Sequence, residues 1–203
     1  MPIKNTVKIY ASPAYYHVYN RGAGGQPIFI DDMDRRKFLS LIARHLVDDV
    51  ANRRTDGAPY PVYDLEVLAY CLMGNHFHFL IYQPNDSQAL TKFMRSVSTA
   101  YTMYFNRKYK RSGHLFQSIF KAAHIFSDQY LLHISRYIHM NPRSYLNYPW
   151  SSLKYYLGEP APEWLCPERV NDMQPKAYRE FLADYEGKKA ELERIKHQLA
   201  DQH

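Results

Sequence analysis

A tight β-hairpin in the middle of the chain is the feature that most constrains its fold. Residues 62–73 and residues 76–83 are both rich in β-branched and aromatic side chains, and only Gly74-Asn75 separates them. A two-residue connection of this kind is typical of a tight turn that pairs its flanking runs as antiparallel strands. A chain with this hairpin near its centre must build an antiparallel sheet around it.

Two further strands and several helices are predicted on either side of this hairpin. They are a strand over residues 15–20, a helix from Asp31 or Asp32, a long helix capped by Ser87, a strand within residues 115–125, and a helix from Asp128 to Asn141-Pro142. The order is β-α-β-β-α-β, followed by a further helix. It predicts an α+β, ferredoxin-like (split βαβ) fold, in which one antiparallel sheet is backed by helices.

The length of 203 residues suits one globular domain with an appendage. We expect the domain to span residues 13–158. Residues 159–203 are then a C-terminal extension, punctuated by prolines at first and helical from Pro175 onward. This extension is expected to pack on the domain or to mediate contacts.

Positive charge is concentrated in the middle of the chain. The whole protein carries a formal charge of +6, but residues 84–145 alone hold nine basic and two acidic residues. Residues 163–203 are mildly acidic. A central positive band favours a polyanionic partner. The alternative is a solvated face, and it carries equal weight for residues 106–111 (NRKYKR) taken alone.

The cysteine content and the N-terminal sequence predict a soluble cytoplasmic protein. Cys71 and Cys166 lie far apart and outside any metal-binding spacing, as expected of reduced thiols. The N-terminal residues contain no apolar stretch of signal-peptide length. No run approaches the roughly 20 apolar residues of a membrane-spanning helix.

Two histidines on the second hairpin strand are candidate metal ligands. Side chains alternate along a strand, so His76 and His78 share one face while Phe77 and Phe79 face the core. Two imidazoles on one face can converge on a cation. The alternative is a pair of surface histidines on a half-exposed sheet, and it is favoured for an isolated His-x-His pattern.

A tyrosine and an asparagine on the third helix could complete such a site. Tyr137 and Asn141 are four residues apart, so they project from the same face of a helix. Two imidazoles and an amide oxygen are suitable ligands for Mg²⁺ or Mn²⁺, and Tyr137 would then be placed to attack a phosphate. Arg136 or His139 could ease loss of its proton. Without further context, Tyr137 would be interpreted as a packing residue.

Five ordered motifs give the sequence a family resemblance. They are YYHVYNRG (15–22), CLMGNHFHFLI (71–81), GHLFQSIFKAAHI (113–125), LLHISRYIHMNP (131–142) and YPWSSLKYYLG (148–158). Together they resemble the single-tyrosine HUH transposases of the IS200-like superfamily, in particular the REP-associated tyrosine transposase branch. The resemblance covers roughly residues 13–158. It implies that His76, His78 and Asn141 hold the metal, although relatives commonly have Gln in place of Asn141. It also implies that Tyr137 is the nucleophile; Tyr130 competes for this role but does not match the position.

The resemblance also implies an activity and a partner. Such proteins cleave single-stranded DNA beside a short hairpin, form a 5′-phosphotyrosine, and rejoin the strands without a nucleotide cofactor. The protein would act as a monomer or a homodimer. The basic residues that we expect to contact DNA are Arg21, Arg95, Arg107, Lys108, Lys110, Arg111, Lys121 and Arg136.

Other functions remain open at the level of sequence. A domesticated or inactive relative would bind DNA hairpins without forming a covalent adduct. An RNA-binding module of the RRM type shares the strand order, but it would place paired aromatic residues at the centre of an open sheet. A two-histidine RNA phosphodiesterase would need two separated HxT/S motifs, which the sequence lacks. His17 is interpreted as structural.

Overall fold

A four-stranded antiparallel sheet forms the centre of the molecule, which the computed structural model describes over residues 10–48 and 53–184. Its strands are β1 (Ala14–Arg21), β2 (Glu66–Leu72), β3 (His76–Gln83) and β4 (Lys121–Ile125). They lie in the order β2-β3-β1-β4, so β1 and β3 occupy the middle. This is the ferredoxin-like strand order, and the predicted fold class is confirmed.

Helices cover both faces of this sheet. The α-helices of the described part are α1 (Asp32–Arg44), α2 (Ala89–Lys108), α3 (Asp128–His139), α4 (Leu153–Tyr156) and α5 (Pro175–Ala183), and short 3₁₀ turns lie at Ala23–Gly25, Tyr145–Asn147 and Pro167–Arg169. On the face of α1 and α2, the ring of Phe38 contacts Phe77, Phe79 and Tyr101. Helices α3, α4 and α5 pack on the opposite face around a second apolar cluster.

The long helix α2 begins later than predicted, and a different residue caps it. Ser87 is not the cap. The N-cap is Gln88, whose side chain makes no capping hydrogen bond. Asp86 holds the turn before the helix, because its carboxylate accepts a hydrogen bond from the backbone N–H of Gln88 at 2.8 Å and its carbonyl accepts from the N–H of Ala89 at 2.9 Å. An aspartate three residues before the helix therefore stabilises the turn that leads into α2, where a serine was expected to cap it.

Strands β2 and β4 start later than predicted, because the residues before them bond elsewhere. The N–H of Tyr63 donates to the carbonyl of His45 beyond the end of α1, at 2.9 Å. The carbonyl of Leu115 accepts from the N–H of Ala23 at 3.0 Å, just after β1. The segment before β4 is thereby held against the end of β1 as a loop.

A buried ion-pair cluster joins the start of α1 to the end of α2. Asp31 and Asp34 form a capping box at the start of α1. The Nζ atom of Lys108 lies 2.7 Å from Asp31 Oδ2 and 2.8 Å from Asp34 Oδ1. The hydroxyl of Tyr109 also donates to Asp34, at 2.8 Å. This arrangement corrects the prediction that Lys108 contacts DNA, because its ammonium is already neutralised by two carboxylates of the same chain.

Replacing Asp34 is expected to destabilise the domain in a pH-dependent way. Burial acts to raise the pKa of Asp34, but Lys108 and the backbone N–H groups outweigh it and the pKa is lowered. At neutral pH, Asp34→Ala should lower the free energy of unfolding by about 3 kcal/mol. The stabilisation from a lowered folded-state pKa is fully present above the ordinary aspartate value of about 3.9 and is lost as the pH falls from there through the lower folded-state pKa. Urea unfolding at neutral pH and at about pH 3 measures both effects.

The neighbouring Asp32 provides the control for this prediction. Its side chain is 60% exposed, pairs at the surface with Arg35 and Arg36, and accepts a hydrogen bond from the Trp150 indole N–H at 3.0 Å. Asp32→Ala should therefore lower the free energy of unfolding by less than about 1 kcal/mol. A loss in Asp34→Ala that does not shrink on acidification would show that the ion pair is not its cause.

Candidate active site

Strand β3 presents two histidines to the face of the sheet that α3 covers. The rings of His76 and His78 have centroids 5.1 Å apart and are nearly perpendicular. Phe77 and Phe79, which alternate with them, are fully buried on the opposite face. Because β3 is an inner strand with β1 and β2 bonded on either side, both imidazoles stand on a rigid support.

Helix α3 brings a tyrosine and an asparagine onto these histidines. The ring of Tyr137 lies 5.6 Å from that of His78, edge to face. One turn later, Asn141 Oδ1 is 3.0 Å from His76 Nε2. The helix is held in this orientation by its buried apolar side chains, including Ile134 and Ile138. The four residues that the sequence assigned to one site therefore lie together.

The atoms that face one another in this cluster fit a divalent cation. In the tautomer in which His76 Nδ1 donates to Asn75 Oδ1, 2.7 Å away, the Nε2 lone pair faces Asn141 Oδ1. Ligands about 2.1 Å from Mg²⁺ in octahedral geometry lie about 3.0 Å apart, the spacing of these two atoms. Burial is the main cause that lowers the pKa of His76, and this favours the neutral ligand form. Among the described residues, no three His, Cys, Asp or Glu side chains form a metal-binding group.

A third histidine, on strand β1, belongs to the same cluster. His17 is 3% exposed, and its Nε2 lies 2.9 Å from His78 Nδ1. The His17 ring stacks on that of His78 at 5.1 Å and meets the edge of Tyr137 at 5.7 Å. Burial lowers the pKa of His17 to about 4, so it is neutral near pH 7. The sequence interpretation of His17 as structural did not place it in this cluster; the available signal was its position on the strand that pairs with the His-x-His strand.

We call His17, His76, His78, Tyr137 and Asn141 the histidine–tyrosine cluster. Its geometry can be compared with known proteins. Residues 60–141 match the family model described as "Transposase IS200 like", and this segment holds all of the cluster except His17. This segment of the chain is therefore similar to IS200-like transposases.

The fold of the chain is similar to that of a solved REP-associated tyrosine transposase bound to a REP hairpin. The TM-score is 0.54 and the sequence identity 14%, over 84% of this chain and 95% of that one. Two tRNA(His) guanylyltransferases match with TM-scores below 0.5, so they carry no argument. They are a bacterial Thg1-like protein in complex with GTP (0.39, 13% identity, 70% and 71% of the two chains) and the Saccharomyces cerevisiae enzyme (0.41, 11% identity, 88% and 75%). No curated protein sequence matches the chain.

Two predicted DNA contacts lie at the edge of the histidine–tyrosine cluster. Arg21 is exposed and sits directly across from His76 in the β1–β3 register. Its Nε donates to the side chain of Gln117. Lys121 is also exposed, and its Nζ lies 6.0 Å from the ring centroid of Tyr19.

Other predicted contacts lie on the opposite face of the sheet, on α2 or just after it. Arg95, Arg107 and Lys110 are exposed there. Arg111 is half-buried, because its guanidinium donates to Gln26 at 2.7 Å. The central basic residues therefore do not form one continuous band next to the cluster.

Arg136 and His139 face away from Tyr137. This corrects the expectation that Arg136 contacts DNA and the expectation that either side chain helps Tyr137 to lose its proton. Arg136 is 1% exposed; its guanidinium donates to the Phe181 carbonyl at 3.1 Å and lies 2.9 Å from His133. It is not accessible to a DNA phosphate. His139 lies 2.8 Å from the Tyr178 hydroxyl, and burial lowers its pKa to about 3. Neither side chain is placed to take a proton from Tyr137.

The competing nucleophile, Tyr130, is separated from the cluster along α3. It lies seven residues before Tyr137, which corresponds to about 10 Å of helix rise. Its side chain is 43% exposed. The histidines therefore meet Tyr137 and not Tyr130.

Helix α5 of the predicted C-terminal extension packs against the side of α3 that faces away from the cluster. The Tyr178 hydroxyl lies 2.9 Å from Ser135 Oγ and 2.8 Å from His139 Nδ1. Leu182 of α5 is fully buried. Residues 185–203 of the extension lie outside the described residues. Within the described ranges, no helix is long and apolar enough to cross a membrane.

Proposed function

We propose that this protein cleaves and rejoins single-stranded DNA beside hairpins, with Tyr137 as nucleophile and Mg²⁺ or Mn²⁺ as cofactor. One observation carries the proposal. Helix α3 sets Tyr137 edge-on against His78 and brings Asn141 to 3.0 Å from His76 Nε2. The proposed nucleophile thus lies next to the proposed metal ligands, as metal-assisted phosphoryl transfer requires.

The proposed reaction is a transesterification. Tyr137 Oη attacks the phosphorus, the bond to the 3′ oxygen breaks, and the phenolic proton is lost while the leaving oxygen gains one. The products are a 5′-phosphotyrosine and a free 3′-hydroxyl. A divalent ion held by His76, His78 and Asn141 would polarise the phosphate, which a phenol with an ordinary pKa of about 10 needs in order to react near neutral pH. Attack by another 3′-hydroxyl reverses the step and joins the strands.

In this proposal Arg21 and Lys121 bind the phosphates on either side of the cleaved bond. Both are exposed at the edge of the cluster. The solved REP-associated transposase with a similar fold was bound to a REP hairpin, which supports hairpin DNA as the partner here. The alternative RRM-type function is disfavoured, because α3 covers the sheet face on which RNA bases would stack.

The proposal is tested with the full-length protein, Mn²⁺ and end-labelled hairpin DNA with single-stranded flanks. We expect a labelled band that survives denaturation and is removed by protease. A fully duplex substrate of the same sequence should give none. Tight hairpin binding without any adduct would instead support the alternative of an inactive hairpin-binding protein.

His17 has a positioning role in this proposal. When His78 Nδ1 carries the proton and donates it to His17 Nε2, the Nε2 atom of His78 keeps its lone pair for the metal. His17→Phe preserves an aromatic ring but removes the acceptor. We expect this change to weaken Mn²⁺ binding about tenfold, measured by electron paramagnetic resonance without DNA.

His124 offers a matched control for His17. It also lies on the sheet, half-buried and stacked on Tyr16, but on the opposite face. His124→Phe should leave the Mn²⁺ affinity unchanged. Equal effects of the two substitutions would mean that the loss in His17→Phe comes from general damage to the sheet.

A further inference from the structure

Buried hydrogen bonds link four side chains on the side of α3 that faces away from the histidine–tyrosine cluster. His139 lies at their centre, with its Nε2 2.7 Å from Ser152 Oγ and its Nδ1 2.8 Å from the Tyr178 hydroxyl. The Tyr178 hydroxyl in turn lies 2.9 Å from Ser135 Oγ. We call Ser135, His139, Ser152 and Tyr178 the His139 network. All four residues are fully buried, so none of them is accessible to DNA.

The hydrogen atoms of the His139 network can be assigned so that every group has a partner. Because burial lowers the pKa of His139, its ring is neutral and has one donor and one acceptor nitrogen. Ser135 Oγ donates to the Leu132 carbonyl at 2.8 Å, so it is an acceptor for Tyr178. In the tautomer in which His139 Nδ1 donates to Tyr178, Nε2 accepts from Ser152. A fully satisfied buried network of this kind is rigid.

Ser152 ties the His139 network to the backbone of the sheet. Its Oγ accepts a hydrogen bond from the N–H of Tyr70 on β2 at 2.8 Å, and its N–H donates to the Tyr70 carbonyl at 2.9 Å. The N–H of Leu72 donates to the carbonyl of Trp150 at 2.9 Å, so residues 150–152 continue the sheet beyond β2. Strand β2 is bonded to β3, which carries the two histidines of the cluster.

The position of His139 on α3 links this network to the cluster. His139 is two residues after Tyr137 and two residues before Asn141. A step of two residues turns a helix by about 200°, so Tyr137 and His139 lie on opposite sides of α3. Ile134 and Ile138 also hold α3 on the sheet, but apolar contacts are not directional and do not by themselves fix the rotation of a helix. Hydrogen bonds are directional and can fix it.

We propose that His139 is a positioning residue, and that the His139 network sets the rotation of α3 over the sheet. The network joins α3 to the same sheet that carries His76 and His78, so it determines how Tyr137 and Asn141 meet these two rings. This role rests on the proposed function. It adds a group of residues that contact neither metal nor DNA but on which the rate of strand cleavage depends.

The test uses Tyr178→Phe in the full-length protein, because this change removes one hydroxyl from the network and keeps the ring. At saturating Mn²⁺ and hairpin DNA, adduct formation should be about tenfold slower. Fluorescence anisotropy in EDTA should show an unchanged affinity for the hairpin. In the metal-free protein, the imidazole NMR signals of His76 and His78 should shift, since Tyr137 and Asn141 lie against these rings. Ser152→Ala should have the same effects from the other end of the network.

Tyr156→Phe is the matched control. Tyr156 is buried in the same apolar cluster, and its hydroxyl donates to the Leu68 carbonyl of β2 at 2.9 Å, outside the His139 network. Both variants lose one buried hydrogen bond, so both should lower the urea midpoint of unfolding by similar amounts. Only Tyr178→Phe should slow adduct formation and shift the imidazole signals.

Equal slowing in Tyr178→Phe and Tyr156→Phe would overturn the positioning role, because the loss would then follow stability alone. Unchanged imidazole signals in Tyr178→Phe would also overturn it. A wild-type protein that forms no adduct would refute the proposed function. The imidazole signals need neither metal nor DNA, so they test the position of α3 independently of that result.

Discussion

Tyr137→Phe is expected to abolish the covalent adduct with hairpin DNA, by at least about a thousandfold, while hairpin binding stays close to that of the wild type. The substitution removes only the hydroxyl. The ring contacts with His17 and His78 are edge-to-face and need no oxygen, so the cluster should keep its packing. Denaturing gels of the end-labelled strand measure the adduct, and anisotropy in EDTA measures binding.

Tyr130→Phe is the natural comparison for Tyr137→Phe. Both tyrosines lie on α3, but Tyr130 is about two turns away from the histidines. Its substitution should leave adduct formation within about twofold of the wild type. An adduct that persists in Tyr137→Phe and disappears in Tyr130→Phe would move the nucleophile to the first turn of the helix.

His76→Ala is expected to have the second largest effect, because it removes a proposed metal ligand that two neighbours orient. Asn75 holds its Nδ1 and Asn141 faces its Nε2. Loss of one of three protein ligands should weaken Mn²⁺ binding at least about a hundredfold, and adduct formation at a fixed Mn²⁺ concentration should fall with it. Titration of Mn²⁺ without DNA separates the loss of metal from any loss of DNA binding.

Two substitutions of Asn141 show whether the effect belongs to the metal. Asn141→Asp keeps an oxygen where the amide oxygen lies, so Mn²⁺ binding should be retained or strengthened. Asn141→Leu has a similar size and no ligand atom, so binding should weaken as in His76→Ala. Equal behaviour of the two variants would mean that Asn141 only packs against His76.

The fold and the placement of the two histidines could be predicted because local patterns determine them. The hairpin around Gly74, the alternation along β3 and the four-residue spacing on α3 are all short-range features. They predicted which residues share a face before any packing was known. The contact between His76 and Asn141 follows from the order of the elements, because α3 comes after the edge strand β4 and packs back over the inner strands.

Long-range partners were beyond the reach of these patterns. Lys108 and Arg136 resemble DNA contacts as members of a basic segment, yet their charges face groups far away in the chain. Asp31 lies 77 residues before Lys108, and the carbonyl of Phe181 lies 45 residues after Arg136. His17 was missed for the same reason, since its partner on β3 is 61 residues away. The net charge of a segment predicts the sign of the electrostatic potential around it. It does not show which of its cations are already bonded to other groups of the same chain.

The packing of α5 on α3 bears on when the protein becomes competent during its synthesis. Ser135 and His139 both lie against the hydroxyl of Tyr178, and Arg136 against the backbone of Phe181. These polar groups are buried in the folded protein, so they lack their hydrogen-bond partners until α5 has left the ribosome. Tyr137, the proposed nucleophile, also lies on α3. A nascent or truncated chain that ends before α5 therefore holds every residue of the histidine–tyrosine cluster without the support that keeps Tyr137 in place.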